Sequence, residues 1–369
     1  MLKKIEITNF KNFENKFVFD LSNAKSFEFN KECVDNGLIK KALIYGKNGI
    51  GKSNLGFAIF DLISHLTDKN SGSYSYKNYI NANNSESFAS FRFEFQFEQN
   101  SIVYEYTKSD VETLIQEKLT INDNEYLSIN RSQSSILTTN AKGAETLTKD
   151  IGKSAISIIS YIDKNALLDE EDKNNRCFRK FLAFVNGMLF FRSLEFNNYI
   201  GFEQGSGDIG SDIIEKGHLK AFEKFLNEAG IECKLGKIKT LDKFDLAFKF
   251  GKKLLPFWDI ASQGTRSLAL FYYWFQRLEE DDISFVFVDE FDAFYHHLLS
   301  AMIIKRLKEI KAQVIVTTHN TSMMTNELLR PDCYFIMKKE TIKSISNLTA
   351  KELREAHNLE KMYKAGSFV

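Results

Sequence analysis

Residues 46–53 carry the residue types that phosphate binding requires. They read Gly46-Lys47-Asn48-Gly49-Ile50-Gly51-Lys52-Ser53, which is the spacing of a phosphate-binding loop. Glycines let the backbone turn until its N–H groups point at phosphate oxygens, and the following helix adds its positive end. Lys52 would reach the terminal phosphates and Ser53 would coordinate Mg²⁺. We therefore predict ATP and Mg²⁺ as ligands, with the binding residues Gly46, Asn48, Gly49, Gly51, Lys52, Ser53 and Asn54.

A second candidate site follows the apolar run 283–288, which ends in Asp289 and Glu290. A carboxylate at a strand end can hold Mg²⁺ through water, and a neighbouring carboxylate can orient or deprotonate the attacking water. We assign the metal role to Asp289 and the catalytic role to Glu290. An ordinary solvated strand end can show the same two acids, so this prediction depends on the phosphate-binding loop.

Two further segments are ambiguous by themselves. The apolar run 313–318 ends at His319, and a single histidine in that position is often structural. Ser262, Gly264 and Thr265 precede an amphipathic helix, where such a segment either binds phosphate or forms an ordinary N-cap. Residues 262–265, called the Ser262 segment below, are singled out because they lie about 20 residues before the Asp289–Glu290 strand.

Hydrophobic periodicity predicts the elements that would position these residues. Strands are predicted at two places within 2–21, at 42–45, at 91–97 and at 102–106. The pair at 91–97 and 102–106 indicates an antiparallel sheet beside the nucleotide core. Helices are predicted after the loop, at 173–194 and at 211–229.

The charge composition excludes a global basic field. Lysine plus arginine equals aspartate plus glutamate at 49 each among 369 residues, so any nucleic-acid contact would have to be local. Four cysteines without C-x-x-C spacing argue against a zinc site or a disulfide framework. The sequence has no signal-like start and no run of about 18 apolar residues. We therefore expect a cytoplasmic protein without membrane contact.

The order of the loop, the Ser262 segment, the Asp289–Glu290 strand and the His319 strand resembles the ABC-type ATPase heads of the SMC, RecF and OLD group. Residues 5–13 are similar to the first strand and turn of those heads. The resemblance implies two heads that sandwich two ATP molecules, so the Ser262 segment would act in trans as a signature. It also implies a γ-phosphate sensor at His319.

The same resemblance extends to positions that the residues alone do not single out. It implies a D-loop role for Asp292, and it compares His296 with a histidine of many OLD-like members, although His296 is equally compatible with a surface helix start. The family's Q-loop glutamine has three candidates here, Gln96, Gln99 and Gln116. The signature Ser-Gln-Gly-Thr differs from the transporter form, which disfavours a transporter subunit.

The C-terminal stretch 354–368 resembles the tail of AAA-family ATPases from bacterial anti-phage operons, of the AbiLi, RloA and PARIS AriA types. This resemblance implies a defence sensor that assembles as a homodimer or larger homo-oligomer and controls a separate toxin or nuclease. We expect a separate effector because the 50 residues after His319 are too few for a Toprim nuclease domain. The alternative is a RecF- or SMC-like DNA-binding ATPase in repair, so DNA binding stays open.

We therefore predict an α/β fold: a P-loop ABC-type head with a mixed or parallel core sheet, an antiparallel β layer and a helical insertion. The expected domains are an N-terminal ATPase lobe at 1–165, a helical lobe at 166–261 and a C-terminal ATPase lobe at 262–369.

Overall fold

A computed structural model of the protein describes residues 1–67, 69, 76–152, 154–192, 198–201, 209–240, 243–279, 283–292 and 297–368. The strands of these residues are β1 (Leu2–Thr8), β2 (Phe17–Asp20), β3 (Val34–Asp35), β4 (Leu38–Ile39), β5 (Lys41–Tyr45), β6 (Ala89–Phe97), β7 (Asn100–Lys108), β8 (Leu114–Ile121), β9 (Asn124–Asn130), β10 (Thr138–Thr139), β11 (Met188–Arg192), β12 (Asn198–Gly201), β13 (Leu235–Lys239), β14 (Phe244–Phe250), β15 (Lys253–Pro256), β16 (Phe285–Asp289), β17 (Gln313–Thr318), β18 (Tyr334–Met337) and β19 (Ile342–Ser344). The α-helices are α1 (Lys52–Phe60), α2 (Ile63–Leu66), α3 (Ile158–Asn165), α4 (Lys173–Asn186), α5 (Ile209–Glu215), α6 (Leu219–Glu228), α7 (Phe257–Ile260), α8 (Gln263–Glu279), α9 (His297–Glu309) and α10 (Leu359–Lys364).

One sheet is antiparallel, with the strand order β10-β9-β8-β7-β6-β1-β2. Its strands alternate between an apolar inner face and a polar outer face, as expected for a sheet with one side in water. In β6, Phe91, Phe93 and Phe95 are buried. The outer face carries ion pairs such as that between Lys4 Nζ and Glu94 Oε1, at 2.7 Å. The predicted strands at 91–97 and 102–106 are confirmed as the neighbours β6 and β7.

The core sheet has the order β12-β11-β16-β17-β5-β18-β19. Its five inner strands run parallel, and antiparallel strands close both edges. The inner strands are buried along their length, which explains why their sequences read as continuous apolar runs. Because they are parallel, β5, β16 and β17 end at the same edge of the sheet. The α/β fold with a mixed core sheet and an antiparallel layer is confirmed.

Helices cover both faces of this sheet. On one face, α1 approaches closely at Gly56, where an added Cβ would lie 2.7 Å from Phe190 Cζ and 2.9 Å from Phe287 Cε1. On the other face, α8 packs through Trp274, whose ring lies 5.5 Å from that of Phe191. No helix in the described part of the chain is both long and apolar enough to cross a lipid bilayer.

The helix prediction at 173–194 is wrong for residues 187–192, and residues 193 and 194 lie outside the described residues. The helix α4 ends at Asn186, where the Gly187 N–H bonds back to Ala183 O and Phe184 O, and the chain continues as β11. All five residues of β11 are buried, and the strand lies parallel to β16. A short apolar run is compatible with either a buried helix or a buried strand, so periodicity could not separate them.

The helix predicted at 211–229 is in fact two helices, α5 and α6, separated near Gly217 at φ 74. A three-stranded antiparallel sheet, β13-β14-β15, follows them. The segment 166–261, which we expected to form a helical lobe, therefore carries its own sheet and also contributes β11 to the core. The domain boundaries at 165 and 261 stay predictions.

Buried polar contacts join the two large sheets. Lys108 Nζ on β7 lies 3.1 Å from Asp61 Oδ2, directly after α1, and both side chains are fully buried. Burial raises the pKa of Asp61 and lowers that of Lys108, while their mutual attraction opposes both shifts. Gln313 on β17 accepts from Leu2 N at 2.9 Å and donates to Leu2 O at 2.9 Å. The start of β5 is held by Lys41, whose Nζ donates to the carbonyl oxygen of Leu307 in the last turn of α9 and to those of Ile310 and Ala312 between α9 and β17.

Candidate active site

The loop 46–51 joins β5 to α1 and has a backbone that only glycine tolerates well. Gly49 and Gly51 have φ angles of 73 and 108, in the left-handed region where side chains are strained. A Cβ on Gly51 would also collide with Asn12. Asn12 Nδ2 donates to Ile50 O at 3.2 Å, and Asn54 Nδ2 donates to Asn12 Oδ1 at 2.6 Å. The turn after β1 thus supports the loop from outside.

Lys52, the first residue of α1, points back across the loop. Its side chain is largely buried, and Nζ donates to Gly46 O at 3.0 Å and to Lys47 O at 3.3 Å. The same Nζ lies 2.8 Å from His319 Nε2. Burial lowers the pKa of Lys52, while Glu290 and Asp289 raise it. The ammonium is therefore enclosed, and its counter-charges come from Asp289, the last residue of β16, and from Glu290 directly after it.

His319 lies between this lysine and Glu290. Its Nε2 is 2.8 Å from Lys52 Nζ and 3.2 Å from Glu290 Oε1. One ring nitrogen cannot accept from the ammonium and donate to the carboxylate at the same time, so the two hydrogen bonds alternate with the tautomer. Glu290 itself has φ 47, an uncommon backbone for a non-glycine residue and one that concentrates at functional sites.

Thr317 on the neighbouring strand positions both acids. Its hydroxyl donates to Asp289 Oδ1 at 2.7 Å and accepts from Glu290 N at 2.8 Å, and the side chain is fully buried. Burial raises the pKa of Asp289, and hydrogen bonds from Ser53 and Thr317 oppose that rise. Asp289 and Ser53, the two predicted Mg²⁺ ligands, are thus in contact.

Asp292 is hydrogen-bonded to Thr318, the residue before His319. Thr318 Oγ1 donates to Asp292 Oδ2 at 2.7 Å, and Asn320 N donates to Thr318 Oγ1 at 2.9 Å. Burial raises the pKa of Asp292, and the hydrogen bond from Thr318 opposes it. The structure therefore links Asp292 to the residues flanking His319. His296 lies outside the described residues.

The Ser262 segment leads into the first turn of α8, with Ser262 exposed and Thr265 buried. Ser262 is exposed, its Oγ accepts from Thr265 N at 3.2 Å and lies 2.8 Å from Thr265 Oγ1, and Gly264 follows it in the first turn. Within the chain it is therefore an N-cap. Arg266, one residue later, donates from Nε to Ala261 O at 3.1 Å and from Nη2 to Trp258 O. Trp258 Nε1 in turn donates to Asp245 Oδ1 on β14 at 3.2 Å, which ties the start of α8 to the three-stranded sheet.

Arg192 is a residue of this edge that the sequence did not single out. It ends β11, in register with Asp289 on β16, and its Cζ lies 4.7 Å from the centre of the Phe57 ring on α1. Its positive charge lowers the pKa of Asp289. The signal that could have found it is the apolar run 188–191 ending in a charged residue, the pattern that also marks β16.

The glutamine candidates lie elsewhere. Gln96 is on β6 and Gln116 is on β8, both in the antiparallel sheet, and Gln99 is in the turn after β6. Gln96 Nε2 donates to Glu98 O at 2.8 Å. The strand β11, which lies beside β16 in the core sheet, ends in Arg192 and not in a glutamine.

The residues present fit a magnesium nucleotide. The loop backbone has the turn that directs N–H groups at phosphate, and a Cβ at Gly46 would lie 2.9 Å from Ile50 Cγ2 and 3.0 Å from Met337 O, so the cradle has no room for a side chain. Hydroxyl and carboxylate oxygens such as those of Ser53 and Asp289 are the ligands Mg²⁺ prefers.

Comparisons with known proteins agree with a nucleotide-binding domain. Residues 41–325 match the family described as "AAA domain, putative AbiEii toxin, Type IV TA system". No curated protein was found to match the chain.

Solved structures similar to the chain include SMC heads. One is an SMC head bound to the C-winged helix domain of ScpA, with 17% identity and a TM-score of 0.47 over 93% of this chain and 96% of the other. Another is the SMC head domain from Thermotoga maritima, with 16% identity and a TM-score of 0.43 over 93% and 98%. A third is an Smc head domain with an extended coiled coil, bound to the C-terminal domain of ScpA derived from Pyrococcus furiosus, with 16% identity and a TM-score of 0.41 over 94% and 97%.

Proposed function

Because the chain belongs to the AAA-domain family described as a putative AbiEii toxin of type IV toxin–antitoxin systems, we propose that it is an ATPase that regulates an effector in bacterial anti-phage defence. The observation that supports ATP hydrolysis most directly is the convergence of Lys52, His319 and Glu290 at one edge of the core sheet. This edge also holds Asp289 beside Ser53.

Each side chain has a distinct role in the proposed reaction. Lys52 exchanges its contacts with the loop carbonyls for the terminal phosphates, which keeps an enclosed ammonium paired with an anion. Ser53 and Asp289 would hold Mg²⁺, which would supply charge neutralisation at the phosphates. Glu290 accepts the proton of the attacking water. His319 senses the γ-phosphate, since its Nε2 reaches both Lys52 and Glu290.

We propose that the site is completed by a second copy of the chain. Ser262 and Gln263 at the start of α8 are exposed, whereas Gly264 is half-buried and Thr265 is buried. A helix N-terminus that begins with exposed residues can receive phosphate from a partner. ATP would then bring two heads together as a homodimer or larger homo-oligomer, and hydrolysis would release them. The bound nucleotide would therefore determine whether the heads are assembled or separate.

The proposed assembly is tested with Glu290→Gln and with Lys52→Ala as its matched control. Glu290→Gln removes the base but keeps the binding groups, so ATP should stay bound. The molar mass of this variant measured by light scattering should then be that of a dimer or larger species. Its turnover should fall by about 10² to 10⁴. Lys52→Ala should remain monomeric with ATP because it lacks the ammonium. Near wild-type turnover of Glu290→Gln would remove Glu290 from the catalytic role, and equal size of the two variants would exclude ATP-driven assembly.

The defence role is tested in cells. We expect a neighbouring gene to encode a toxin or nuclease that is harmless with the wild-type ATPase and active on phage infection. Phage plating is compared for cells that carry both genes, either gene alone, or the pair with Glu290→Gln. Plating that is identical in all four cases would contradict regulation of an effector, while leaving the ATPase assignment intact.

A further inference from the structure

The three-stranded sheet β13-β14-β15 concentrates positive charge in a chain whose formal net charge is zero. Residues 234–253 contain seven lysines, two aspartates and neither arginine nor glutamate. Their net charge is +5, although the whole chain is formally neutral. This is a local basic region of the kind that composition alone could not locate.

The lysines at the turn between β14 and β15, called the tip here, are exposed to solvent. Lys249, Lys252 and Lys253 lie at or beside the turn between β14 and β15, where every residue from 249 to 255 is exposed. None of the three forms an ion pair within the described part of the chain. Asp245, the acid closest to them in sequence within the sheet, lies four residues before Lys249 on β14 and accepts from Leu246 N and Trp258 Nε1. The field of these lysines therefore projects into solvent.

An exposed aromatic ring lies among these charges. Phe250 is 58% exposed, and its ring is 6.5 Å from that of Phe248. Phe248 is buried and stacks on Phe257 at 4.9 Å with an interplanar angle of 20°. Phe250 is thus the solvent-facing end of an aromatic row anchored in the core of the lobe. An exposed phenylalanine ring among lysines offers a face on which a base can stack.

The combination favours one class of partner. Protein interfaces are depleted in lysine and enriched in arginine, whereas this tip has lysine and no arginine. Binding of single-stranded nucleic acid uses a positively charged track for the phosphates and aromatic rings on which bases stack. A duplex keeps its base faces stacked inside and could use only the lysines. We propose that the β14–β15 tip binds single-stranded nucleic acid, with Lys249, Lys252 and Lys253 on the phosphates and Phe250 stacked on a base.

The three-stranded sheet that carries the tip is connected directly to the start of α8. The chain passes from β15 through α7 to Ser262 within a few residues. Asp245, Trp258 and Arg266 connect β14 to the first turn of α8 by hydrogen bonds. A bound strand therefore lies on the same packed unit as the Ser262 segment. The binding itself requires neither ATP nor an effector.

The experiment measures fluorescence anisotropy of labelled oligothymidine and oligouridine of about 20 nucleotides at several salt concentrations. The wild-type protein should bind one or both, and more tightly than a DNA duplex of equal length. The variant Lys249→Glu/Lys252→Glu/Lys253→Glu should bind at least about tenfold more weakly. The slope of log K against the logarithm of the salt concentration, called the salt slope here, should become shallower by about 2, since each phosphate contact contributes about 0.7. The matched control is Lys149→Glu/Lys305→Glu/Lys351→Glu, which makes the same charge change at three exposed lysines elsewhere.

Phe250→Ala separates stacking from charge. It should weaken binding about fivefold or more while the salt slope stays unchanged. Thermal unfolding midpoints of all variants should match that of the wild type because the substituted side chains are exposed; if the triple variant unfolds early, Lys252→Ala/Lys253→Ala replaces it.

Three results would overturn the proposal. One is no binding to either oligonucleotide, and another is equal loss of affinity in the tip and control variants. The third is equal binding of single strand and duplex with no effect of Phe250→Ala. Vesicles of phosphatidylglycerol and phosphatidylcholine are tested in parallel, and binding to them through the same lysines without oligonucleotide binding would assign the tip to a membrane surface instead.

Discussion

Substitution of Gly56 by alanine tests how closely the helix after the phosphate-binding loop is held against the core sheet. In an unhindered helix, glycine to alanine stabilises by about 1 kcal/mol. Here the new Cβ would meet Phe190 Cζ at 2.7 Å and Phe287 Cε1 at 2.9 Å. Both rings are fully buried, so neither can withdraw freely.

The two effects have opposite signs, and the structure decides between them. Overpacking of a well-packed core costs about 1 to 3 kcal/mol. We therefore expect Gly56→Ala to lose about 0 to 2 kcal/mol of unfolding free energy, and the larger, β-branched Gly56→Val to lose about 3 kcal/mol or more. ATP affinity should fall as well, because Lys52 lies one helical turn before Gly56.

The assay is urea unfolding followed by circular dichroism, with ATP affinity measured by calorimetry. Phe190→Leu makes room for the new methyl group, so its effect combined with Gly56→Ala should be smaller than the sum of the single effects by about 1 kcal/mol. A gain of about 1 kcal/mol in Gly56→Ala alone would refute the reasoning, since it would mean that helix propensity decides and the close approach does not.

Three further outcomes follow from buried polar contacts. Lys108→Met should cost about 3 to 5 kcal/mol in urea unfolding because it leaves Asp61 charged and buried, and Asp61→Asn/Lys108→Met should recover at least half of that loss; a double variant no better than the single one would contradict the pairing. Lys41→Met should cost about 2 to 4 kcal/mol by leaving three buried carbonyls without their donor, and an unchanged urea midpoint would show that water replaces it. Thr317→Val keeps the side-chain shape but removes the hydroxyl that orients both acids, so phosphate release should fall about tenfold or more, with ATP affinity largely retained; wild-type turnover would exclude the orienting role.

The convergence of the site could be predicted from the sequence because each motif ends an apolar run. Residues after parallel strands meet at one sheet edge, so Gly46, Asp289 and His319 had to come close once those strands were parallel. The Lys52–His319–Glu290 contacts follow from that geometry. The roles assigned to these residues stay predictions until the variants are measured.

Other features required the strand order, which no local pattern contains. Thr317 lies inside an apolar run, and only the register of β17 beside β16 brings its hydroxyl to Asp289 and Glu290. The sequence does not single out Arg192 because the four apolar residues before it are compatible with the end of a helix as well as with a strand. The glutamine candidates were chosen by residue type, and type does not reveal which sheet a strand joins.

The position of β5 in the core sheet has a consequence for biosynthesis. Its neighbours, β17 and β18, begin at Gln313 and Tyr334. The ribosome makes the phosphate-binding loop early, but β5 has no strand to pair with until nearly 270 further residues have been added. At translation rates of about 5 to 20 residues per second, that interval is on the order of 15 to 50 s. Nascent chains therefore carry an apolar strand without its native neighbours, and an interrupted chain would lack the sheet that positions the loop 46–51.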